Sequence, residues 1–248
     1  MKVVRFKLSG RTAFFKKPDV NTYYYFTYGN IHKIALLGIM GSILGLGGYN
    51  TQSRDFKNNV YPEFYEKLKD AKVAIITLNK HGYITKKVQS FNNSVGYASK
   101  ESGGNLIVKE QWLQEPEWLI YVKIDNVTDE FSNMIKKNKA KFIPYLGTND
   151  HFADITDVSE LEVCKIDDID KVDSIFETDY FKIDKYQDEE DDSDTAWKYT
   201  EYLPAALDKD LNQYQFSDFT ETNMCIESVS EGVDVYKDEE LDKNLYFF

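Results

Sequence analysis

Three histidines, His32, His81 and His151, limit the chemistry open to this sequence. No His-x-His or His-Glu-x-x-His spacing is present, and Cys164 and Cys225 stand far apart, so no zinc or iron centre is expected. Asp167, Asp168 and Asp170 offer carboxylates to a divalent cation, but acidic residues come in runs there, and such runs are ordinarily solvated faces. No Gly-x-Ser-x-Gly elbow marks a nucleophilic serine. Gly45-Leu46-Gly47-Gly48 lacks the third glycine of a dinucleotide fingerprint and follows a helix instead of opening one. The residues call for no cofactor and no metal.

Two constellations remain. Lys80-His81, with a tyrosine from the segment Tyr23 to Tyr28, supplies a general base and a cation, which is the minimum for metal-independent RNA cleavage. The same pair reads equally as polar residues at a strand end. His32-Lys33 falls in the first turn of a helix, where backbone N–H groups and the helix dipole already favour a phosphate.

The elements that must position these groups can be read from periodicity. Val3 to Gly10 alternates Val4, Phe6 and Leu8 with Arg5, Lys7 and Ser9, a strand with one apolar and one basic face. Arg11 to Asn21 is a basic loop holding Phe14, Phe15, Lys16 and Lys17, followed by the aromatic cluster Tyr23-Tyr24-Tyr25-Phe26. Asn30 is expected to cap a helix running to about Leu46, whose small residues Ala35, Gly38, Gly41 and Gly45 let its backbone lie close against a neighbour. Its apolar run is too short to span a membrane, which takes about 20 residues.

Lys72 to Leu78 reads as a second strand. Asn79 to Asn105 is a long Gly-, Ser-, Asn- and Lys-rich stretch carrying Lys80, Lys86, Lys87, Gln89, Phe91, Asn92, Asn93, Tyr97 and Lys100, and a loop of that length is usually functional. Leu106 to Leu113 and Trp118 to Ile124 are expected to pair around Pro116. Asp129 to Ala140 reads as a helix with acids first and lysines last, matching its dipole, and Phe152 to Ile166 as extended chain.

This order predicts an α+β protein: a ferredoxin-like, RRM-like βαββαβ unit over residues 1–166, with two helices on one sheet face and the other face open to RNA. Residues 167–248 are expected to form a smaller, mostly β acidic lobe. Within it, Asp188 to Asp194 holds six acids in seven residues and reads as solvated.

The formal charge of the 248-residue chain is −12, which taken whole argues against a nucleic-acid partner. The charge is not evenly spread. Residues 1–147 carry 22 Lys+Arg against 12 Asp+Glu, a net of +10, and the remainder carries 8 against 30, a net of −22. That asymmetry points to a polyanion partner for the N-terminal part. The N-terminus has no apolar signal core, which predicts a cytoplasmic protein.

The run Val3-Val4-Arg5-Phe6-Lys7-Leu8-Ser9-Gly10-Arg11-Thr12-Ala13-Phe14-Phe15-Lys16-Lys17-Pro18, followed by Asn30 to Gly45 (Asn-Ile-His-Lys-Ile-Ala-Leu-Leu-Gly-Ile-Met-Gly-Ser-Ile-Leu-Gly), resembles the amino-terminal signature of the CRISPR-associated Cas-five family of the RAMP superfamily, in its type I-B branch. Gln89 to Lys100, Glu110-Gln111-Trp112-Leu113 and Tyr145-Leu146-Gly147 extend the match through about residue 155.

The resemblance implies a subunit of Cascade, the RNA-guided surveillance complex. Its palm and hairpin thumb, the latter at residues 79–105, would hold the 5′ handle of CRISPR RNA and cap the Cas-seven backbone beside the large subunit, meeting target DNA only indirectly and no membrane. One branch of the family, subtype I-C, is an endoribonuclease using a tyrosine, lysine and histidine set, whereas type I-B systems leave processing to a Cas-six enzyme. The reading is therefore a non-catalytic subunit, with an endoribonuclease as the alternative.

In that role Lys7, Arg11, Lys16 and Lys17 meet phosphates, with His32, Lys33, Lys86 and Lys87 adding charge. Phe14, Tyr23, Tyr25 and Tyr97 stack on bases, and Gln89, Asn92 and Asn93 read base edges. The acidic part would face solvent or a basic patch on the large subunit.

Overall fold

The computed structural model describes residues 1–19, 24–55, 60–184 and 195–248, and of 53–55 only the backbone. Tyr23 and the run Asp188 to Asp194 lie outside the described residues.

The chain opens with β1 (Lys2–Ser9) and the short β2 (Thr12–Ala13). It continues through α1 (Lys33–Leu44), α2 (Tyr49–Asp55), α3 (Glu63–Leu68), β3 (Val73–Thr77), β4 (Lys86–Asn92), β5 (Ile107–Gln114) and β6 (Glu117–Lys123). Then come α4 (Asp129–Lys136), β7 (Asp154–Glu162), β8 (Cys164–Ile166), β9 (Phe176–Glu177), β10 (Phe181–Ile183) and β11 (Lys198–Leu207). β12 (Tyr214–Thr222), β13 (Ile226–Val229), β14 (Val235–Asp238) and β15 (Lys243–Tyr246) complete it. The fold is α+β.

The central sheet has the order β3-β6-β1-β7, with every neighbouring pair antiparallel. The period-2 pattern of β1 sends Val4, Phe6 and Leu8 into the main core, where the Phe6 ring meets Phe131 of α4 edge-on at 5.9 Å. α1 packs against both α3 and α4. Gly41 explains the first contact: a Cβ there would stand 2.6 Å from Cβ of Phe64 on α3.

Five expectations need correcting. The other sheet face is not left open: Val3, Ala74, Ile76 and Tyr121 pack there with Leu245 and Phe247 from the end of the chain. β5 does not pair with β6; it pairs with β4 in a hairpin and with β2 on its other edge, while β6 pairs with β1 and β3. Asn30 does not cap α1. Its Oδ1 accepts from Trp118 Nε1 at 2.6 Å and from the Ile31 N–H, its Nδ2 donates to Thr77 Oγ1, and His32 takes the N-cap instead. The helix also ends at Leu44, short of Leu46, at the left-handed Gly45 (φ 79°). The short helices α2 and α3 fill a stretch in which no element was expected.

The C-terminal strands form small antiparallel sheets, β11-β12-β9, β15-β14-β8 and β10-β13. They share one apolar cluster with the N-terminal part, in which Phe176, Leu203, Phe219 and Phe248 join Phe6, Leu36 and Trp118. Backbone bonds cross as well: Ile175 N–H donates to Ile75 O at 2.8 Å, and Phe248 N–H to Val73 O at 3.1 Å.

Candidate nucleic-acid interface

Register sorts the hairpin residues by face, because residues opposite each other in an antiparallel pair project to the same side. Lys87 lies opposite Trp112, Gln89 opposite Glu110 and Phe91 opposite Val108. One face therefore carries a cation, an amide, a carboxylate and two aromatics. Lys87 Nζ sits 5.8 Å from the Trp112 ring, and Trp112 Nε1 donates to Glu110 Oε2 at 2.8 Å, which fixes the indole. The opposite face holds Lys86, Ser90 and Asn92 with the buried Leu113. Asn92 is tied to the hairpin loop: its Oδ1 accepts from the Ser94 N–H, and its Nδ2 donates to Asn105. The Asn93 N–H donates to Leu106 O at 2.8 Å, and Tyr97 stands 78% exposed near the tip.

The basic loop is anchored on the outer edge of β5. Tyr25 N–H donates to Lys109 O, Gln111 N–H donates to Tyr25 O, and Lys16 bridges Thr27. This places Lys16 Nζ 3.9 Å above the Tyr25 ring at the base of the hairpin, a cation–π pair that leaves the lysine exposed.

Lys17 has a different fate. Glu201 of β11 reaches into the loop, pairing with Lys17 at 3.3 Å, accepting from Gly29 N–H at 2.8 and 3.0 Å and from the Tyr199 hydroxyl at 3.2 Å. Lys86 belongs to the same cluster: burial pushes its pKa down, with Glu201 opposing and Lys17 adding to the effect. Part of the acidic segment thus meets the basic loop of its own chain.

Several other expected contacts are altered by packing. Phe14 is 2% exposed, its ring 6.4 Å from His151, so it is no surface stacking platform. His32 is 4% exposed among the rings of Phe15, Tyr28 and Tyr214, and burial pushes its pKa down to about 3. It is a neutral N-cap whose Nδ1 accepts from the Ala35 N–H at 3.2 Å, not a phosphate-binding cation. Lys33 points toward Phe248, 6.0 Å from its ring, and burial, aided by Lys72, pushes its pKa down to about 8. Lys7 pairs with Glu117 at 3.0 Å, and Arg11 is exposed in the turn after β1.

Lys80 and His81 are exposed in a single helical turn after β3. His81 takes a left-handed backbone (φ 60°), and its ring lies 6.0 Å from that of Trp197. Among the described residues, no group of three or more His, Cys, Asp or Glu side chains is placed to hold a metal ion, and no helix is long and apolar enough to cross a membrane.

Three features near these residues were not singled out from the sequence. Trp112 is held by His151, their rings 4.6 Å apart and edge-on, while Thr12 Oγ1 bonds His151 Nδ1 at 2.6 Å. Glu201 is the second. The third is a stretch after α4 in which Lys137, Lys139 and Lys141 run into exposed Phe142, Ile143 and Tyr145; its basic-aromatic alternation was the available signal.

A scan against protein-family models and a search of curated proteins return no match. Solved structures do match. One chain of a "CRISPR RNA-guided surveillance complex" is 11% identical with a TM-score of 0.52, covering 93% of each chain. A CRISPR protein from Archaeoglobus fulgidus is 10% identical with a TM-score of 0.53, covering 99% of this chain and 98% of that one. The chain has the fold of these CRISPR-associated proteins.

Proposed function

We propose that this chain is a non-catalytic, RNA-binding subunit of a CRISPR interference complex. In this reading β1, β3, β6 and β7 with α1 and α4 are a ferredoxin-like palm, and the β4–β5 hairpin is its thumb. The observation that carries the reading is the clustering of Lys16 and Tyr25 at the hairpin base with the hairpin face of Lys87, Gln89, Phe91 and Trp112. Phosphates pair with exposed Lys16 and half-buried Lys87, unstacked bases lie on the aromatics, and the amide of Gln89 reads a base edge. The type I-B reading assigns the bound RNA as the 5′ handle of CRISPR RNA and the neighbouring proteins as the Cas-seven backbone and the large subunit.

The alternative is a metal-independent endoribonuclease centred on Lys80 and His81, whose exposed, left-handed turn gives RNA access to the imidazole. Incubating the protein with labelled CRISPR repeat RNA separates the two. The proposal expects binding without cleavage; site-specific cleavage abolished by His81→Ala supports the alternative.

A further inference from the structure

A cavity of about 670 Å³ opens along the exposed side of α1, walled by Phe14, Phe15, Tyr49, Phe142 and Tyr145, with Lys16 at its rim. Its size suits a nucleoside, and aromatic rings stand among otherwise small and aliphatic walls. Two features inside it are unexplained by the chain itself.

The first is His32, which lines the cavity and is almost wholly buried. Its Nδ1 accepts from the Ala35 N–H and the imidazole is neutral, so the proton sits on Nε2. No described residue accepts from that Nε2. That donor is unfilled among the described residues and is not sealed off, so a group entering the cavity can accept from it.

The second is Gly38, at mid-helix. Gly41, one turn on, is needed because Phe64 packs on it, but a Cβ at Gly38 would meet nothing within 4 Å. Glycine within a helix costs roughly 0.5–1 kcal/mol against alanine. No packing among the described residues requires that cost, and Gly38 lines the same cavity.

We infer that this cavity is a pocket for one extruded nucleobase, seated over Gly38 between aromatic walls, accepting a hydrogen bond from His32 Nε2–H, with its phosphate at Lys16. A base fits better than a bare anion, because the deep donor is neutral and the walls are apolar. The Phe14–His151–Trp112 ring series joins the cavity to the aromatic face of the hairpin, so one strand can reach both. This inference rests on the RNA-binding reading.

The test uses the full chain labelled with 15N-histidine and a single-stranded RNA derived from the repeat. Wild-type protein is expected to bind the RNA with a shift of the His32 Nε2 resonance. Gly38→Leu, which fills the cavity, is expected to keep its melting temperature, lose the His32 shift and bind RNA at least tenfold more weakly. A His32 Nε2 signal unmoved by saturating RNA overturns the pocket, and needs no variant that folds. Undiminished RNA affinity in folded Gly38→Leu also overturns it, and is the outcome expected if a partner's side chain fills the cavity instead. Wild-type protein that binds no RNA overturns both the pocket and the proposed function, whereas binding lost in Lys16→Ala/Lys87→Ala but kept in Gly38→Leu overturns the pocket alone.

Discussion

Arg5 on β1 and Asp238 on β14 form an ion pair at 2.7 Å across 233 residues of sequence, and it fastens the C-terminal strands to the central sheet. Asp238 is 0% exposed and also accepts from the Tyr121 hydroxyl at 2.8 Å, while the other arm of Arg5 reaches Glu240. Burial works against the Asp238 carboxylate, but Tyr121 and Arg5 hold its pKa below the usual range. Removing one partner of a buried pair typically costs about 3–5 kcal/mol, because the other charge is stranded. Arg5→Met is expected to lose about 3 kcal/mol in urea unfolding, the Tyr121 bond remaining, and Arg5→Met/Asp238→Asn to recover part of that loss.

Glu221 is buried against Thr77, whose N–H donates to its Oε1 at 2.9 Å, while Oε2 has no partner among the described residues. Burial pushes its pKa up to about 8. Its folded value thus lies above its unfolded one, so the carboxyl is neutral in the fold, and stability falls as pH rises from about 4.5 toward 8. Glu221→Gln is expected to stabilise the protein at pH 8 and to be close to neutral at pH 4.5. Thermal unfolding at the two values checks it.

His32 works in the opposite sense. With a folded pKa near 3, below its unfolded value of 6.5, its contribution is intact above pH 6.5 and is lost as pH falls. Each pH unit below 6.5 costs about 1.4 kcal/mol. His32→Asn keeps an N-cap acceptor without titrating. Between pH 7 and pH 5 the wild type is expected to lose about 2 kcal/mol more than this variant, read by denaturant unfolding.

Glu201 shields the basic loop by holding Lys17 and facing Lys86. Glu201→Gln keeps an acceptor for the Gly29 N–H and releases both lysines. RNA affinity is expected to rise several-fold, and the slope of log K against log salt to steepen by about 0.7 for each new phosphate contact. Fluorescence anisotropy across a salt series measures both.

What the sequence made legible was local. Alternation in β1 is a period-2 signal that survives folding, and the acids and lysines of α4 mark its two ends. What stayed hidden was decided by distant partners. β5 flanks the turn at Glu115-Pro116 and so reads as the mate of β6, yet its edges are taken by β4 and β2. His32 in a first helical turn reads as a cation; the rings of Phe15, Tyr28 and Tyr214, brought in from three segments, keep it neutral. Glu201 is 172 residues from the Gly29 N–H it accepts, so charge counting set the acidic segment apart from the loop it touches. α3, at six residues, is too short to show a helical period.

The central claim is that Lys16 and Lys87 hold RNA at the base and face of the hairpin. The direct measurement is the salt dependence of binding to a repeat-derived single-stranded RNA, for wild type and for Lys16→Ala/Lys87→Ala. Neither lysine forms an ion pair among the described residues, so the double variant is expected to keep its melting temperature, bind at least tenfold more weakly and lose about 1.4 from the magnitude of the salt slope. Unchanged affinity and slope in the folded double variant would contradict the account.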